Sequence, residues 1–184
     1  MKIQNGWLLG VKHIVSPHFN ERDEKQAVRL LVIHNISLPA GHFGGNYISD
    51  LFTGQLDCQA DPSFSSLVNL RVSAHCLIRR DGEIIQYVSF DDRAWHAGVS
   101  SYKGVRDCND FSIGIELEGT DSIPYTEAQY QQLSSLTQSI AEEYEAIADN
   151  IVGHCDIAPD RKTDPGKIFD WSYYKTLLKQ KSKL

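Results

Sequence analysis

The run RLLVIH (Arg29 to His34) constrains the fold more than any other stretch of this chain. It is short, β-branched and leucine-rich, and it does not alternate between apolar and polar positions. Such a strand has no face for water, so the sheet that holds it must be covered on both sides. A second run, FSIGIEL (Phe111 to Leu117), reads as another central strand, and Gly114 within it marks a close backbone approach. Val72 to Arg80 and Glu83 to Val88 read as two strands joined at Asp81-Gly82. That dipeptide suits a type I′ hairpin turn, which needs positive φ at both centres.

Helical signals lie between these strands. Asp61 and Pro62 are placed to cap and start a helix to Leu70. Thr126 to Gln129 is a capping box, T-x-x-Q. It is followed by Leu133, Leu136, Ile140, Tyr144 and Ile147 at spacings of three and four, a core-facing stripe. Ile151 to Ile157 reads as a strand that delivers His154, and Asp170 as the N-cap of a last helix, Trp171 to Leu178. Ser37 to Asn46, with Pro39, Gly41, Gly44 and Gly45, must be a loop, and its place after His34 makes it a candidate cleft wall. The expected fold is α/β: a single domain over residues 1–184 (core about 6–178), with a mixed central β-sheet flanked by helices.

Composition bounds the partners. A net charge of −6 argues against nucleic acid, anionic membrane or anionic wall polymer, each of which calls for a basic face. The N-terminal stretch lacks an apolar run of signal-peptide length, and no run approaches a transmembrane span. A cytoplasmic location is the expectation. The 4 cysteines, Cys58, Cys76, Cys108 and Cys155, show no CxxC pairing, so neither a four-cysteine zinc site nor a disulfide framework is expected. Cys76 and Cys155 read as buried strand thiols.

The segment GHCDIAPDRKTDPG sets His154 and Asp164 at H-x9-D, with Lys162 two residues before the carboxylate. Two histidines and a carboxylate would give zinc three protein ligands and leave one position open for water. His13 and His18 read as surface residues and His42 as a solvated loop residue. His34, His75, His96 and His154 each lie in or beside an apolar block, and composition leaves open which of them bind metal. Asp156 and Asp160 compete with Asp164 for the third place. Glu116 and Glu118 share one face of their strand, and a carboxylate in an apolar strand is costly unless it has a role.

VIHNISLP, RVSAHCLIRRDGEIIQYV, AWHAG, CNDFSIGIELEGTD and GHCDIAPDRKTDPG resemble the AmpD-type zinc amidases, part of a wider family that includes peptidoglycan-recognition proteins. The blocks fall in that family's order across nearly the whole chain. The resemblance implies one zinc per chain on His34, His154 and Asp164, with Glu116 as general base and Lys162 as oxyanion donor. It places Asn35, Arg71, His75, Ala94, Trp95 and His96 at the substrate, with Arg71 suited to clamp a carboxylate. Some wider-family members carry a tyrosine where this chain has Ala74, a departure that fits reliance on Glu116. The implied activity is hydrolysis of the amide between the lactyl group of 1,6-anhydro-N-acetylmuramic acid and L-alanine, in cytosolic peptidoglycan recycling. In bacteria with an inducible AmpC β-lactamase, it would also lower the inducing muropeptide signal. The implied partner is a small soluble muropeptide, with no obligate protein partner. Two alternatives stand beside it: an amidase of polymeric wall, and a non-catalytic muropeptide-recognition module.

Overall fold

The computed structural model describes residues 1–23 and 26–181. Residues 182–184 of the expected domain lie outside the described residues. Six strands form the main sheet: β1 (Lys12–His13), β2 (Leu30–Ile36), β3 (Cys76–Ile78), β4 (Ile84–Gln86), β5 (Ser112–Glu118) and β6 (Ile151–Gly153). Their order is β6-β2-β5-β3-β4-β1. The sheet is mixed: β3 and β4 pair antiparallel, and every other neighbouring pair is parallel.

The side-chain period of two divides β2 and β5 between two jobs. Leu31 and Ile33 of β2 and Ile113, Ile115 and Leu117 of β5 enter one core cluster. They pack there with Leu133, Leu136 and Ile140 of helix α2 (Glu127–Glu143) and with Tyr174 and Leu177 of the C-terminal helix (Trp171–Lys181). Each fully buried aliphatic side chain contributes roughly 1.5–3 kcal/mol. The opposite face is covered by helix α1 (Tyr47–Thr53), whose Ile48, Leu51 and Phe52 meet Leu77, Ile85 and Tyr87. His34 of β2 and Ser112, Gly114, Glu116 and Glu118 of β5 occupy the face away from α2. β5 lies inside the sheet, so neither glutamate gains exposure from an edge: Glu116 is 9% and Glu118 1% exposed.

The capping box forms in both directions, Gln129 N–H to Thr126 Oγ1 and Thr126 N–H to Gln129 Oε1, each 3.1 Å. α2 ends at Glu143, before the stripe does, and Ile147 is buried from a following 3₁₀ turn. Asp170 accepts from Tyr173 N–H at the start of the last helix, as expected.

Five expectations need correction. The Asp81-Gly82 hairpin is real, but its loop has three residues between Arg79 and Glu83, closed by Gly82 N–H to the Arg79 carbonyl. Gly82 alone takes positive φ (91°), so the turn is type I with a glycine bulge rather than type I′. Pro62 to Leu67 is a 3₁₀ helix rather than a helix to Leu70, although Asp61 caps it through Ser63 N–H. The strand expected through Ile157 stops at Gly153, because the Asp156 carboxylate accepts from Gly153 N–H (2.7 Å) and folds His154–Ile157 into a helical turn, here α3. Cys155 is therefore half-buried in that turn, not in a strand. His18 is buried rather than on the surface: it bonds the Val72 carbonyl and stacks on Trp95.

Candidate active site

Register brings the first pair of chemical groups together. β2 and β5 run parallel with His34 opposite Glu116. β6 pairs with the other edge of β2 and places Gly153 opposite Ile33, so the next residue, His154, emerges beside His34. The chain then returns: Cys155 N–H donates to the Asp164 carbonyl at 3.0 Å. Gly153 permits this return, since a Cβ there would lie 2.7 Å from the Pro165 ring.

Three side chains consequently converge. His34 Nδ1 is 2.9 Å from His154 Nδ1 and 3.2 Å from Asp164 Oδ2, and His154 Nδ1 is 3.1 Å from that same oxygen. All three residues can offer a ligand atom to one ion. The two nitrogens share at most one proton between them, and an ionised carboxylate brings none. The cluster thus has more lone pairs than protons, a deficit that a divalent cation at its centre would fill. The spacings suit zinc, whose tetrahedral ligands at about 2.0–2.1 Å lie about 3.3 Å apart. Burial pushes the His34 imidazole down to about 4, which keeps it neutral as a ligand must be. Burial would raise Asp164, but the His154 and His34 rings beside it outweigh that and hold the carboxylate well below its usual range. Asp156, a rival for the third place, is occupied with Gly153 N–H, and Asp160 is exposed.

Glu116 Oε2 is buried and has no hydrogen-bond partner among the described residues. Burial raises this carboxyl well above the usual range, the Asp164 charge adds to the effect, and Lys162 opposes it. Lys162 and Glu116 line the same cavity of about 270 Å³ as His34, His154 and Asp164. Two larger hollows share walls with it. One, about 620 Å³, shares Asn35, Ile36, Lys162 and Asp164; the other, about 650 Å³, shares Leu51, Leu67 and Leu70 and reaches Arg71. Together they make a groove with the ligand cluster at its narrow centre.

The substrate candidates divide. Asn35 lines the groove and donates to Asp121 Oδ1 (2.8 Å). Trp95 also lines it, its Nε1 bonded to Asn20 (2.7 Å). Arg71 is exposed in the outer arm. His75 does not belong with them. It is 0% exposed; its Nδ1 accepts from Gly114 N–H and its Nε2 faces the Asp92 carbonyl, so its ring knits β3 to β5. Ala94 is also fully buried, with no side chain available to a ligand. His96 lines the cavity, yet both ring nitrogens are already engaged, by His34 and Ser112. Ser112 and Asn109 were not foreseen. Ser112 lies four residues before Glu116 on one strand face, so the period of two could have exposed it; Asn109 acts on backbone and left no such signal.

The fold is that of an amide hydrolase, and the chain belongs to the N-acetylmuramoyl-L-alanine amidase family, which it matches over residues 24–167. It is an amidase of a family that is zinc-dependent in general. It is 59% identical to the 1,6-anhydro-N-acetylmuramyl-L-alanine amidase AmpD of Escherichia coli K12, over 99% of this chain and 100% of the relative. It is 54% identical to the AmpD of Haemophilus influenzae, over 96% of this chain and 97% of that one. The crystal structure of a selenomethionine AmpD derivative superposes with a TM-score of 0.95 at 59% identity, covering 97% of this chain and 99% of the other.

Proposed function

We propose that this chain is a zinc amidase of cytoplasmic peptidoglycan recycling, cleaving the bond between the lactyl carbonyl of 1,6-anhydro-N-acetylmuramic acid and the L-alanine amine of a soluble muropeptide. The carrying observation is the convergence of His34, His154 and Asp164 beside the unpartnered carboxylate oxygen of Glu116. Near-full-length similarity to the AmpD relatives supports the substrate class.

His34, His154 and Asp164 would hold the metal. Zinc, when bound, supplies a Lewis acid that polarises the scissile carbonyl and eases deprotonation of the attacking water. Glu116 takes that proton on Oε2 and later delivers it to the departing L-alanine nitrogen. Its position inside the cavity keeps the proton out of bulk water between the two steps. The Lys162 ammonium faces the charge that develops on the carbonyl oxygen. Asn35, held by Asp121, orients the peptide next to His34, Trp95 offers a flat wall to the sugar, and Arg71 receives a stem-peptide carboxylate in the outer arm. A net charge of −6, with no described helix long and apolar enough to cross a membrane, accords with a small diffusible substrate.

The test is mass-spectrometric detection of products from zinc-loaded protein and two substrates, anhydromuramoyl-tripeptide and its reducing-end muramoyl counterpart. Release of tripeptide mainly from the anhydro form is expected. Equal cleavage would point to a general wall amidase, and no cleavage despite bound zinc would overturn the catalytic reading.

A further inference from the structure

We infer that His96 is a positioning residue for the metal centre: a hydrogen-bond relay from Ser112 through His96 fixes His34 in the tautomer that can ligate. This rests on the reading of His34, His154 and Asp164 as the metal ligands.

The relay starts at a group with no choice. Ser112 Oγ lies 2.6 Å from the Cys108 carbonyl, which can only accept, so the single hydroxyl proton is committed there. Ser112 Oγ must then accept from His96 Nε2–H, 3.0 Å away. A neutral His96 with its proton on Nε2 has a lone pair on Nδ1, which accepts from His34 Nε2–H at 2.9 Å. The His34 proton is thereby held on Nε2, and the Nδ1 lone pair faces His154 and Asp164. Reversing the relay would break the short Ser112–Cys108 bond, leaving that carbonyl only the longer one from Phe111 N–H (3.2 Å), and would turn an N–H into the place a metal would occupy.

The neighbouring residue serves the other histidine. His154 Nε2–H donates to the Ala97 carbonyl at 3.1 Å, which leaves its Nδ1 bare as well. Residues 96 and 97 thus set both imidazoles. Their own N–H groups are pinned by Asn109 Oδ1, at 3.1 and 2.8 Å. The His96 ring is seated directly on Gly114, where a Cβ would come within 2.4 Å of it. The glycine in FSIGIEL therefore makes room for this ring, and the serine two residues earlier supplies its acceptor.

The test compares His96→Leu, His96→Asn and Ser112→Ala in the full chain. Zinc affinity is measured by competition with a chromophoric chelator, and the His34 tautomer by ¹⁵N ring shifts in metal-free protein. His96→Leu should weaken zinc binding by about 10- to 100-fold, whereas His96→Asn, whose Oδ1 can replace the Nδ1 acceptor, should stay within about threefold. The Nε2–H form of His34 should persist in His96→Asn and give way to a mixture in His96→Leu and Ser112→Ala. Unchanged affinity and tautomer in His96→Leu would overturn the relay. So would a His96→Asn defect as large as that of His96→Leu, which would mark a packing role. If His96→Leu does not fold, an unaltered His34 tautomer in Ser112→Ala has the same force. An unsubstituted protein that binds no zinc would instead overturn the ligand assignment, a distinct result.

Discussion

A buried carboxylate oxygen without a partner is costly to fold around, and Glu116 bears that cost in the middle of a sheet. Such a group is tolerated where it reacts. Glu116→Gln keeps the volume but removes the ability to accept a proton, so turnover should fall by about 10²–10⁴-fold while metal content is unchanged. Single-turnover cleavage with parallel metal analysis reads both, and near-normal turnover would remove Glu116 as the base. Lys162 gives the same residue a pH signature. The lysine lowers the Glu116 pKa against burial and the Asp164 charge, which raise it. A base works when deprotonated, so activity rises with pH through that pKa. Lys162→Met removes a lowering influence and should move the acidic limb of kcat/KM to higher pH. A limb that stays put or moves down would sever the coupling of the two residues.

Individual elements show a division of labour two residues apart. Glu118 has Glu116's strand face but a different duty: its carboxylate pairs with Arg79 Nη1 (3.2 Å) and accepts from Gly44 N–H and Arg80 N–H. Arg79 also reaches the Gly45 carbonyl, so Glu118 ties the glycine-rich loop 37–46 to the β3–β4 hairpin. Glu118→Ala would leave Arg79 only its longer pair with half-exposed Glu83 (3.5 Å) and would strip the Gly44 and Arg80 N–H groups of their acceptor, and should cost about 1–3 kcal/mol. Urea unfolding measures the loss, and faster limited proteolysis within residues 37–46 should accompany it; an unchanged midpoint would deny the tie. What could be read in advance follows the same division. The central strands, the hairpin, the capping box and the convergence of His34, His154 and Asp164 follow from period, turn chemistry and the resemblance. The helical turn at His154 does not, because one Asp156–Gly153 bond outcompetes strand propensity there. The duties of His75 and His96 were equally hidden, since their partners are backbone groups and side chains remote in sequence.

Across the whole molecule, one face of the sheet is given to packing and the other to chemistry. α2 and the last helix cover the first with an apolar layer. On the second, the ligand cluster joins β2, the start of α3 and the loop that returns to Asp164, segments up to 130 residues apart in sequence. A metal at that junction would close the molecule as well as activate it. Ligands that bind only the folded state stabilise it by mass action, about 2.7 kcal/mol at one hundred times Kd. Chelation should therefore lower the thermal midpoint, and zinc should restore it where magnesium, which prefers an oxygen octahedron, does not. The loss should be uneven. Residues 155–166 would lose one of their anchors, Asp164, and keep those of Arg161 on the Ala97 and Val99 carbonyls and of Tyr125 OH on the Pro165 carbonyl, whereas β2 and β5 are held by their ladder and by the helical layer. Hydrogen exchange should thus quicken in residues 155–166 and stay slow in the central strands. An apo protein with the same midpoint and the same exchange pattern would mean that these segments hold together without the ion.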